Sequence, residues 1–304
     1  MRKTSVLFIG IGGIGAPIAS QLISHPGISL SCLCKSTQSE RGMRTITVKK
    51  DGGTKTFDLE EITNYPLFND PKDIIILSCK AHQNKHIYQS LVKYSDENTL
   101  LLVMQNGVGI DKELAYYNFP GIIFNCVVVS CSHKISTDTV LIEQFPRLFF
   151  SLDNKQHRKQ SLLLQDIFKY TDIPYFFTQE TPEELMWNKF AFIICVSAAT
   201  IKFPGPCSMI IEHEECLHFF KSLCHEFSHF AKIRGVDIDA DRLIEDGLFR
   251  ANKMPVENYS SMTLDALEHK YGELAFFLKE MLLKTQIELP NFKKIANLLS
   301  QDKD

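Results

Sequence analysis

The sequence predicts an α/β domain followed by an all-helical domain, with the boundary between residues 178 and 179. As far as Thr178, short apolar runs of strand length alternate with helical patterns, as in a parallel sheet with crossover helices. Beyond Thr178 the patterns are helical only, and no strand of any length returns. At 304 residues the chain is long enough for two ordinary domains.

The first apolar run, residues 4–9, ends at glycines with the spacing G-x-G-x-x-G. Gly10 allows a tight turn, Gly12 leaves room for a pyrophosphate beside the backbone, and Gly15 lets the next helix pack on the sheet. The helix of residues 14–24 then presents free N–H groups and its positive dipole end to the phosphates. We therefore predict a Rossmann-type dinucleotide-binding domain over residues 1–178, although a structural glycine turn is an alternative. The coenzyme is expected on the glycine loop: Gly10, Ile11, Gly12, Gly13, Ile14 and Gly15.

The second predicted strand, Ile28 to Cys34, is followed by Lys35, twenty residues after Gly15. An NAD site commonly carries an acid at this point for the ribose 2′-hydroxyl. A cation can instead pair with a 2′-phosphate, so Lys35 favours NADP (NADPH), with Arg41 as a weaker helper. The alternative for Lys35 is a solvated loop lysine.

Two later apolar runs, residues 73–79 and 99–104, are continuous, which is typical of strands buried on both faces. They end at Lys80-Ala81-His82-Gln83 and at Gln105-Asn106-Gly107. Polar clusters thus follow two buried strands at their carboxyl ends, which is the edge where an open parallel sheet binds its ligand.

The other elements of the first domain are predicted from alternation and period. A glycine turn at Asp51-Gly52-Gly53 indicates a hairpin. The predicted elements are hairpin strands 43–50 and 54–59, a strand at 122–130, irregular β structure at 131–152, a helix at 155–170 and a short strand at 174–178.

The second domain, residues 179–304, is predicted to be helical by period and composition. Its first helix, residues 180–200, is nearly all apolar after an acidic first turn. The other predicted helices are residues 208–234, 239–252, 264–285 and 292–299.

Composition excludes several classes of partner. The net charge of −3 gives no electrostatic case for nucleic acid, and no apolar run reaches the roughly 18 residues of a membrane span. The N-terminus leads directly into the first strand, so we expect no signal peptide. The nine cysteines lack framework spacing, and several lie in apolar runs, which indicates buried free thiols in a reducing cytoplasm. Those in apolar runs are Cys32, Cys79, Cys126 and Cys195.

Several separated motifs resemble those of the ketopantoate reductases, also called 2-dehydropantoate 2-reductases. The resemblance spans nearly the whole chain, and the shared order and spacing make it fairly specific. The matching segments are Lys80-Ala81-His82-Gln83, Gln105-Asn106-Gly107, Trp187-Asn188-Lys189-Phe190, Asn258-Tyr259-Ser260-Ser261-Met262 with Asp265, Glu273 twelve residues after Ser261, and Pro290-Asn291.

The resemblance implies reduction of a 2-keto acid by NADPH in a cleft between two domains. The family reaction converts ketopantoate to pantoate, for pantothenate and coenzyme A biosynthesis. The helical domain would then be similar to the C-terminal domain of 6-phosphogluconate dehydrogenase, and a homodimer is compatible with the family.

The resemblance also implies residue roles. Lys189 is the expected general acid, and Glu273 holds the hydroxyl region of the substrate. Asn258 and Ser261 bind polar groups of the substrate, and Asn106 lies beside the nicotinamide ribose and the substrate. The remaining coenzyme contacts are Lys80 and Lys35 at the adenosine phosphate end, together with Gln83.

Reduction of a ketone builds negative charge on oxygen, which a positioned cation stabilises and protonates. Lys189 lies in an apolar helix, so desolvation should lower its pKa and a carboxylate such as Glu273 should raise it again. Each residue also has a structural alternative. These are a snorkelling lysine at a helix start for Lys189, an exposed helix carboxylate for Glu273, and the N-cap of a helix beginning near Met262 for Ser261.

The chain departs from the family pattern at Ile193 and Ser197, where asparagines are usual, and in Ser130-Cys131-Ser132-His133. These departures leave open a reductase of another 2-keto acid, or a nucleotide-binding protein without catalysis.

A competing motif, His225-Glu226-Phe227-Ser228-His229, matches H-E-x-x-H, which on a helix supplies two zinc ligands and a general base. A zinc metallohydrolase is therefore the remote alternative. We predict no metal, because the short pattern arises easily in a histidine-rich helix and leaves the glycine loop unexplained.

Overall fold

The computed structural model describes residues 2–33, 42–62, 69–151, 158–270, 272–283 and 287–301. The chain forms two compact units, Met1–Leu185 and Met186–Asp304. The division falls inside a helix, a few residues beyond the boundary at 178/179 that the sequence predicts.

In the first unit, the described strands form one nine-stranded sheet. They are β1 (Thr4–Ile9), β2 (Ile28–Leu33), β3 (Gly42–Lys50), β4 (Gly53–Ile62), β5 (Ile74–Leu77), β6 (Leu100–Val103), β7 (Ile122–Lys134), β8 (Thr139–Ser151) and β9 (Tyr175–Thr178).

Strands β4-β2-β1-β5-β6-β7 are neighbours in this order and all parallel. Strand β3 forms the predicted hairpin with β4 across Asp51-Gly52, where Gly52 has a φ of +88°. Strands β7 and β8 are antiparallel, and β9 runs parallel to β8.

The expectation of an open sheet was wrong, because β3 also pairs in parallel with β8, from Thr47–Thr139 to Lys50–Ile142. The region predicted as irregular β structure is a long hairpin of β7 and β8, and β8 buries Val140, Ile142 and Leu148. Register shifts interrupt β7 on both sides of Cys131. Such bulges bend a strand and increase its twist, which lets the hairpin reach β3 and close the sheet.

Helices cover both faces of the sheet. Val6 and Phe8 of β1 join the core on one face, while Leu7 and Ile9 join the core on the other. Both cores explain why the parallel strands are continuous apolar runs. The described helices of this unit are α1 (Gly15–Leu22), a 3₁₀ helix (Ala81–His86), α2 (Tyr88–Lys93), α3 (Ile110–Tyr116) and α4 (Arg158–Phe168).

In the second unit all the described regular secondary structure is helical, in agreement with the sequence. Its helices, the first of which begins in the first unit, are α5 (Pro182–Lys202), α6 (Met209–Glu212), α7 (Glu214–Ile233), α8 (Ala240–Lys253), α9 (Ser261–Leu267), α10 (Gly272–Leu283) and α11 (Pro290–Gln301).

Two predicted helices are each divided in two. His213 interrupts the helix predicted at 208–234, because its ring nitrogen caps α7 by accepting a hydrogen bond from the Cys216 backbone at 3.2 Å. The helix predicted at 264–285 ends early, and His269 follows it with a φ of +56°. A histidine in the left-handed region does not continue a right-handed helix.

Helix α5 is long and apolar enough to cross a membrane by length and composition, contrary to the sequence expectation that no such run exists. Its most apolar window is 72% buried within the fold. Core helices commonly meet the same criterion, so this one helix is weak support for a membrane span.

No disulfide joins the described cysteines. Cys79 and Cys131 are half-buried and the others are buried, so Cys79 is less enclosed than predicted. Burial raises the pKa of Cys207 to about 11 and that of Cys216 to about 12. These two thiols are therefore protonated and inert at neutral pH.

Candidate functional site

The glycine loop that follows β1 has room only for glycine at its two ends. Gly10 has a φ of +104°, and a Cβ on it would lie 2.5 Å from the backbone nitrogen of Cys79. A Cβ on Gly15 would lie 2.1 Å from the carbonyl oxygen of Gly10. Packing against the chain itself therefore explains both residues.

Gly12 differs from its neighbours in the loop. A Cβ on Gly13 would lie 2.4 Å from the carbonyl oxygen of Ser132, but one on Gly12 would have Lys134 Cδ as its nearest neighbour, at 3.9 Å. The fold therefore does not itself require a glycine at position 12. The open space fits a group that approaches the backbone closely, such as a dinucleotide phosphate.

Helix α1 begins directly after the loop without a side-chain cap. Its N-cap residue, Ile14, makes no side-chain hydrogen bond, and its first turn has no acidic residue. Ile14 and Ile11 both pack into the core of the unit. The N-terminal amides of α1 thus lack a competing carboxylate from their own helix.

The polar clusters after β5 and β6 share one edge of the sheet with the glycine loop. Strands β5 and β6 are parallel neighbours, and β5 also pairs with β1. The Ser78 hydroxyl donates a 2.7 Å hydrogen bond to the Gly10 carbonyl oxygen, which joins the loop to the end of β5. The structure therefore brings the glycine loop, Lys80 and Asn106 to this edge.

The two clusters are joined by hydrogen bonds between the buried side-chain amides of Asn84 and Gln105. Gln105 Nε2 donates to Asn84 Oδ1 at 2.7 Å, and Asn84 Nδ2 donates to Gln105 Oε1 at 2.9 Å. Gln105 Nε2 also lies 2.8 Å from the carbonyl oxygen of Cys79. The two amides are 3% and 2% exposed. They fix the backbone beside Lys80 and Asn106.

A second polar contact joins α2 to α3, the helices that follow these two clusters. The Tyr88 hydroxyl donates a 2.6 Å hydrogen bond to Glu113 Oε2. Burial and this hydrogen bond to a carboxylate raise the pKa of Tyr88 well above its ordinary value. Tyr88 is therefore a neutral structural donor at every physiological pH.

The predicted coenzyme residues of the first unit differ in exposure. Lys80 and Asn106 are half-buried, and the Lys80 carbonyl accepts a 2.9 Å hydrogen bond from the Gln83 backbone. The Gln83 side chain is exposed. Lys35 and Arg41, the residues predicted to select NADP, lie outside the described residues.

Lys189 lies in α5, about two turns after Pro182, and is half-buried. This position is inside the helix, so the alternative was wrong in placing Lys189 at a helix start. Its neighbours Trp187 and Phe190 are buried, and both rings pack against Phe227. An aromatic cluster therefore fixes the helix that carries Lys189.

Glu273, in the first turn of α10, is 3% exposed. The nearby Glu268 and Lys270 are exposed and form an ion pair with each other. The alternative of an exposed helix carboxylate was therefore wrong for Glu273. Carboxylates are almost never fully buried unless they are paired, so this one has a specific role in the fold or at a site.

The cap of α9 lies one residue earlier than the structural alternative proposed. Ser260 is the N-cap, and its hydroxyl accepts a 3.1 Å hydrogen bond from the Thr263 backbone. Ser261 is the first helical residue and is exposed. Asn258 is half-buried, and its carbonyl oxygen accepts a 2.7 Å hydrogen bond from the Cys207 backbone.

A chain of hydroxyls joins α5 to α9. Ser197 and Ser260, Ser260 and Thr263, and Thr263 and Thr200 each have their hydroxyl oxygens 2.7 Å apart. Ser197 is fully buried. The hydroxyl chain therefore links the helix of Lys189 to the segment of Asn258 and Ser261.

Ile193 lies one helical turn beyond Lys189 and is half-buried. The two departures from the family pattern thus have different surroundings, since Ser197 is enclosed in the hydroxyl chain. Ile193 presents an apolar side chain beside the predicted general acid, on the same face of α5.

The H-E-x-x-H motif has a structural explanation. Glu226 accepts hydrogen bonds from the backbone nitrogens of Asn291, at 2.8 Å, and Phe292, at 3.1 Å. Asn291 Nδ2 adds another at 2.7 Å, so both carboxylate oxygens hold the start of α11. His225 and His229 are exposed, and the described residues contain no group of three metal-ligating side chains. Glu226 is therefore a helix cap.

Sequence reasoning missed the amide pair and the hydroxyl chain. Gln105 belongs to a motif that the sequence analysis had identified, but no sequence pattern predicted its hydrogen bonds to Asn84. Asn84 lies in a polar segment with no pattern, and only its spatial pairing with Gln105 distinguishes it.

Two family models match the chain. The description "Ketopantoate reductase PanE/ApbA" matches residues 6–151, and "Ketopantoate reductase PanE/ApbA C terminal" matches residues 183–303. Together they cover most of the α/β unit, apart from residues 152–182, and nearly all of the helical unit.

Solved structures resemble the whole chain at low sequence identity. A dimeric ketopantoate reductase from Staphylococcus aureus has a TM-score of 0.75 at 20% identity, with 99% of this chain and 100% of that chain covered. A 2-dehydropantoate 2-reductase from Geobacter metallireducens has a TM-score of 0.77 at 19% identity, covering 98% and 99%.

A third solved structure is D-mandelate dehydrogenase, in a ternary structure with NADH and anilino(oxo)acetate. It has a TM-score of 0.82 at 14% identity, with 99% of this chain and 98% of that chain covered. At these identities the three likenesses show the fold.

The fold and the family matches define the class of protein as a two-domain oxidoreductase that acts on CH–OH groups, of the NAD(P)-dependent dehydrogenase type. The chain belongs to the ketopantoate reductase family.

Proposed function

We propose that this protein is an NADPH-dependent reductase of 2-keto acids, and that it reduces 2-dehydropantoate to pantoate in the cytoplasm. This reaction would supply pantothenate and coenzyme A biosynthesis. The observation that carries the proposal is the open space at Gly12, because the fold explains the other glycines of the motif without a ligand.

The sheet supports dinucleotide binding in the first unit. Its parallel strands run in the order β4-β2-β1-β5-β6-β7. The strands β2 and β4 lie on one side of β1, and the later strands β5, β6 and β7 lie on the other, so the order of strand addition reverses between β1 and β5. This is the strand order of the Rossmann fold, in which the dinucleotide binds at the carboxyl ends of the strands beside the reversal. The glycine loop, Lys80 and Asn106 lie at that edge.

The proposed choice of NADPH rests on Lys35, which follows β2 in the sequence. D-mandelate dehydrogenase, with a similar fold, was solved with NADH, so the fold is compatible with either coenzyme. A charge reversal, Lys35→Glu, should weaken NADPH more than NADH. An equal loss of affinity for NADPH and NADH, measured by fluorescence titration, would contradict a contact between Lys35 and the 2′-phosphate.

The residues of the second unit supply the acid chemistry. When bound, the coenzyme supplies the hydride that reduces the keto carbon. Lys189 Nζ then stabilises the charge that grows on the carbonyl oxygen and delivers its proton there. Glu273 holds the hydroxyl region of the substrate, while Asn258 and Ser261 bind its polar groups.

Ile193 favours a second candidate, a reductase of a 2-keto acid with an apolar side chain. Ile193 lies one turn from Lys189, where it offers apolar contact in place of an amide. The solved D-mandelate dehydrogenase, which has a similar fold, carries anilino(oxo)acetate, an oxoacid with an aromatic ring. A site without a hydrogen-bonding amide discriminates less against analogues that lack a hydroxyl.

The testing experiment follows the NADPH absorbance of purified protein with ketopantoate, phenylglyoxylate and 2-ketoisovalerate. Oxidation of NADPH fastest with ketopantoate supports the first candidate, and fastest with phenylglyoxylate supports the second. Binding of NADPH without turnover of any keto acid would point to a nucleotide-binding protein that lacks catalysis. We extend the proposal to a homodimer, as in the Staphylococcus aureus neighbour, which light scattering tests.

A further inference from the structure

The C-terminal part of β7 lies directly on the glycine loop. The Ser132 hydroxyl donates a hydrogen bond to the Gly13 carbonyl oxygen. A Cβ on Gly13 would meet the Ser132 carbonyl oxygen at 2.4 Å and the His133 Cα at 3.7 Å. This is the segment whose sequence departs from the family pattern, and it is held against the loop by both backbone and side chain.

Lys134 follows this segment and lies over the open space at Gly12. Among the described residues, its Cδ is the one heavy atom outside the local backbone within 4 Å of a Cβ built on Gly12, at 3.9 Å. The ammonium group is two bonds beyond Cδ on a flexible stem. Lys134 is half-buried, so its aliphatic stem is partly enclosed beside the loop.

The backbone of Lys134 is fixed by the sheet. It pairs with Val140 of β8, and the register shifts around Cys131 lie just before it. Bulges of this kind commonly re-aim a side chain near a functional site. The bulged strand therefore turns a cation toward the one glycine of the loop that the fold leaves open.

We propose that Lys134 binds the pyrophosphate of the dinucleotide over Gly12, which rests on the proposed function. Its charge adds to the N–H groups of α1, whose first turn has no acid to compete for them. The pyrophosphate is common to NADH and NADPH. Lys134 therefore raises the affinity for both coenzymes by the same factor, whereas Lys35 is expected to favour NADPH over NADH.

The experiment measures dissociation constants for NADPH and NADH by coenzyme fluorescence, for wild type, Lys134→Met, Lys134→Gln and Lys134→Arg. Lys49→Met is the matched control, because Lys49 is an exposed strand lysine in the same sheet. We expect both neutral variants at position 134 to bind each coenzyme on the order of tenfold more weakly, with an unchanged NADPH-to-NADH ratio. Lys134→Arg and Lys49→Met should bind as wild type.

Ionic strength provides a second readout. The affinity of wild type and Lys134→Arg should fall more steeply with added salt than that of Lys134→Gln, because a charge contact is lost in the glutamine variant. Unchanged affinity in both neutral variants would overturn the role of Lys134, and so would a loss confined to NADPH. Wild type that binds neither coenzyme would instead overturn the proposed function itself.

Discussion

The two units hold their candidate residues by different means. In the first unit, loops at the ends of parallel strands carry Lys80 and Asn106, and the amide pair of Asn84 and Gln105 fastens those loops. In the second unit, a long helix carries Lys189, and packing of Trp187 and neighbouring rings fixes it.

The difference suggests where the sequence is free to change. A buried polar contact loses both partners' hydrogen bonds when one is removed, so the first unit tolerates little change in its fastening. Burial along α5 is incomplete at Ile193, which is half-buried, so this position is freer to vary than the enclosed residues that follow it. We expect coenzyme binding to be rigidly specified and substrate preference to be more easily altered.

The largest expected effect is on catalysis in the second unit. Lys189→Met should lower kcat by about 100- to 10,000-fold, because the growing alkoxide loses its acid, while the NADPH dissociation constant stays unchanged. Steady-state kinetics and fluorescence titration measure the two quantities. Lys202→Met, at the exposed end of the same helix, is the control and should retain full kcat. Full activity in Lys189→Met would exclude it as the acid.

The next effect separates two glycines of the same loop. Gly12→Ala should keep the free energy of unfolding within about 0.5 kcal/mol of wild type and weaken NADPH binding at least roughly tenfold, since the new methyl fills the open space. Gly15→Ala should destabilise the protein by about 1–3 kcal/mol, because its Cβ meets the Gly10 carbonyl. Urea unfolding and coenzyme titration measure both. An unstable Gly12→Ala would mean that the fold itself needs this glycine.

A smaller effect is expected when the amide pair of Asn84 and Gln105 is broken. Gln105→Leu should lower the free energy of unfolding by about 1–3 kcal/mol, because it leaves the buried Asn84 amide without its partner. The double variant Asn84→Leu/Gln105→Leu should lose less free energy of unfolding than the sum of the losses in the two single variants, as expected of directly bonded residues. Urea denaturation of the four proteins gives the coupling. Additive losses would show that the amide pair does not act as a unit.

The smallest effect concerns Glu226. Glu226→Ala should lower the free energy of unfolding by about 0.5–2 kcal/mol through the lost cap on α11, with kcat per folded molecule unchanged. Thermal unfolding and steady-state assays measure the two. A zinc hydrolase would behave in the opposite way, with activity abolished by this change or by a chelator and stability little affected.

The sequence predicted the local features of the fold well because they depend on local patterns. The parallel strands, the hairpin at Asp51-Gly52 and the helical second unit follow from period, composition and turn residues. It did not predict the pairing of β3 with β8, because nothing local to either strand specifies a partner so distant in the chain. It also missed the interruption at His213, since histidine is not a usual helix cap.

The candidate site was predictable to a similar degree. The glycine spacing alone pointed to Gly12, and the structure then distinguished it from Gly13 by what surrounds each. Glu273 was chosen only through the family resemblance, because its burial depends on how α10 packs. Lys134 and Asn84 carried no sequence signal, since their proposed roles arise from neighbours far away in the chain.

We propose that this protein transfers a hydride from NADPH to the keto carbon of a 2-keto acid. The most direct measurement supplies NADPH deuterated at the transferable nicotinamide position, together with ketopantoate or phenylglyoxylate, and analyses the product by mass spectrometry. We expect a 2-hydroxy acid that carries one deuterium on its hydroxyl-bearing carbon. Intact NADPH with no labelled hydroxy acid from either compound would contradict it.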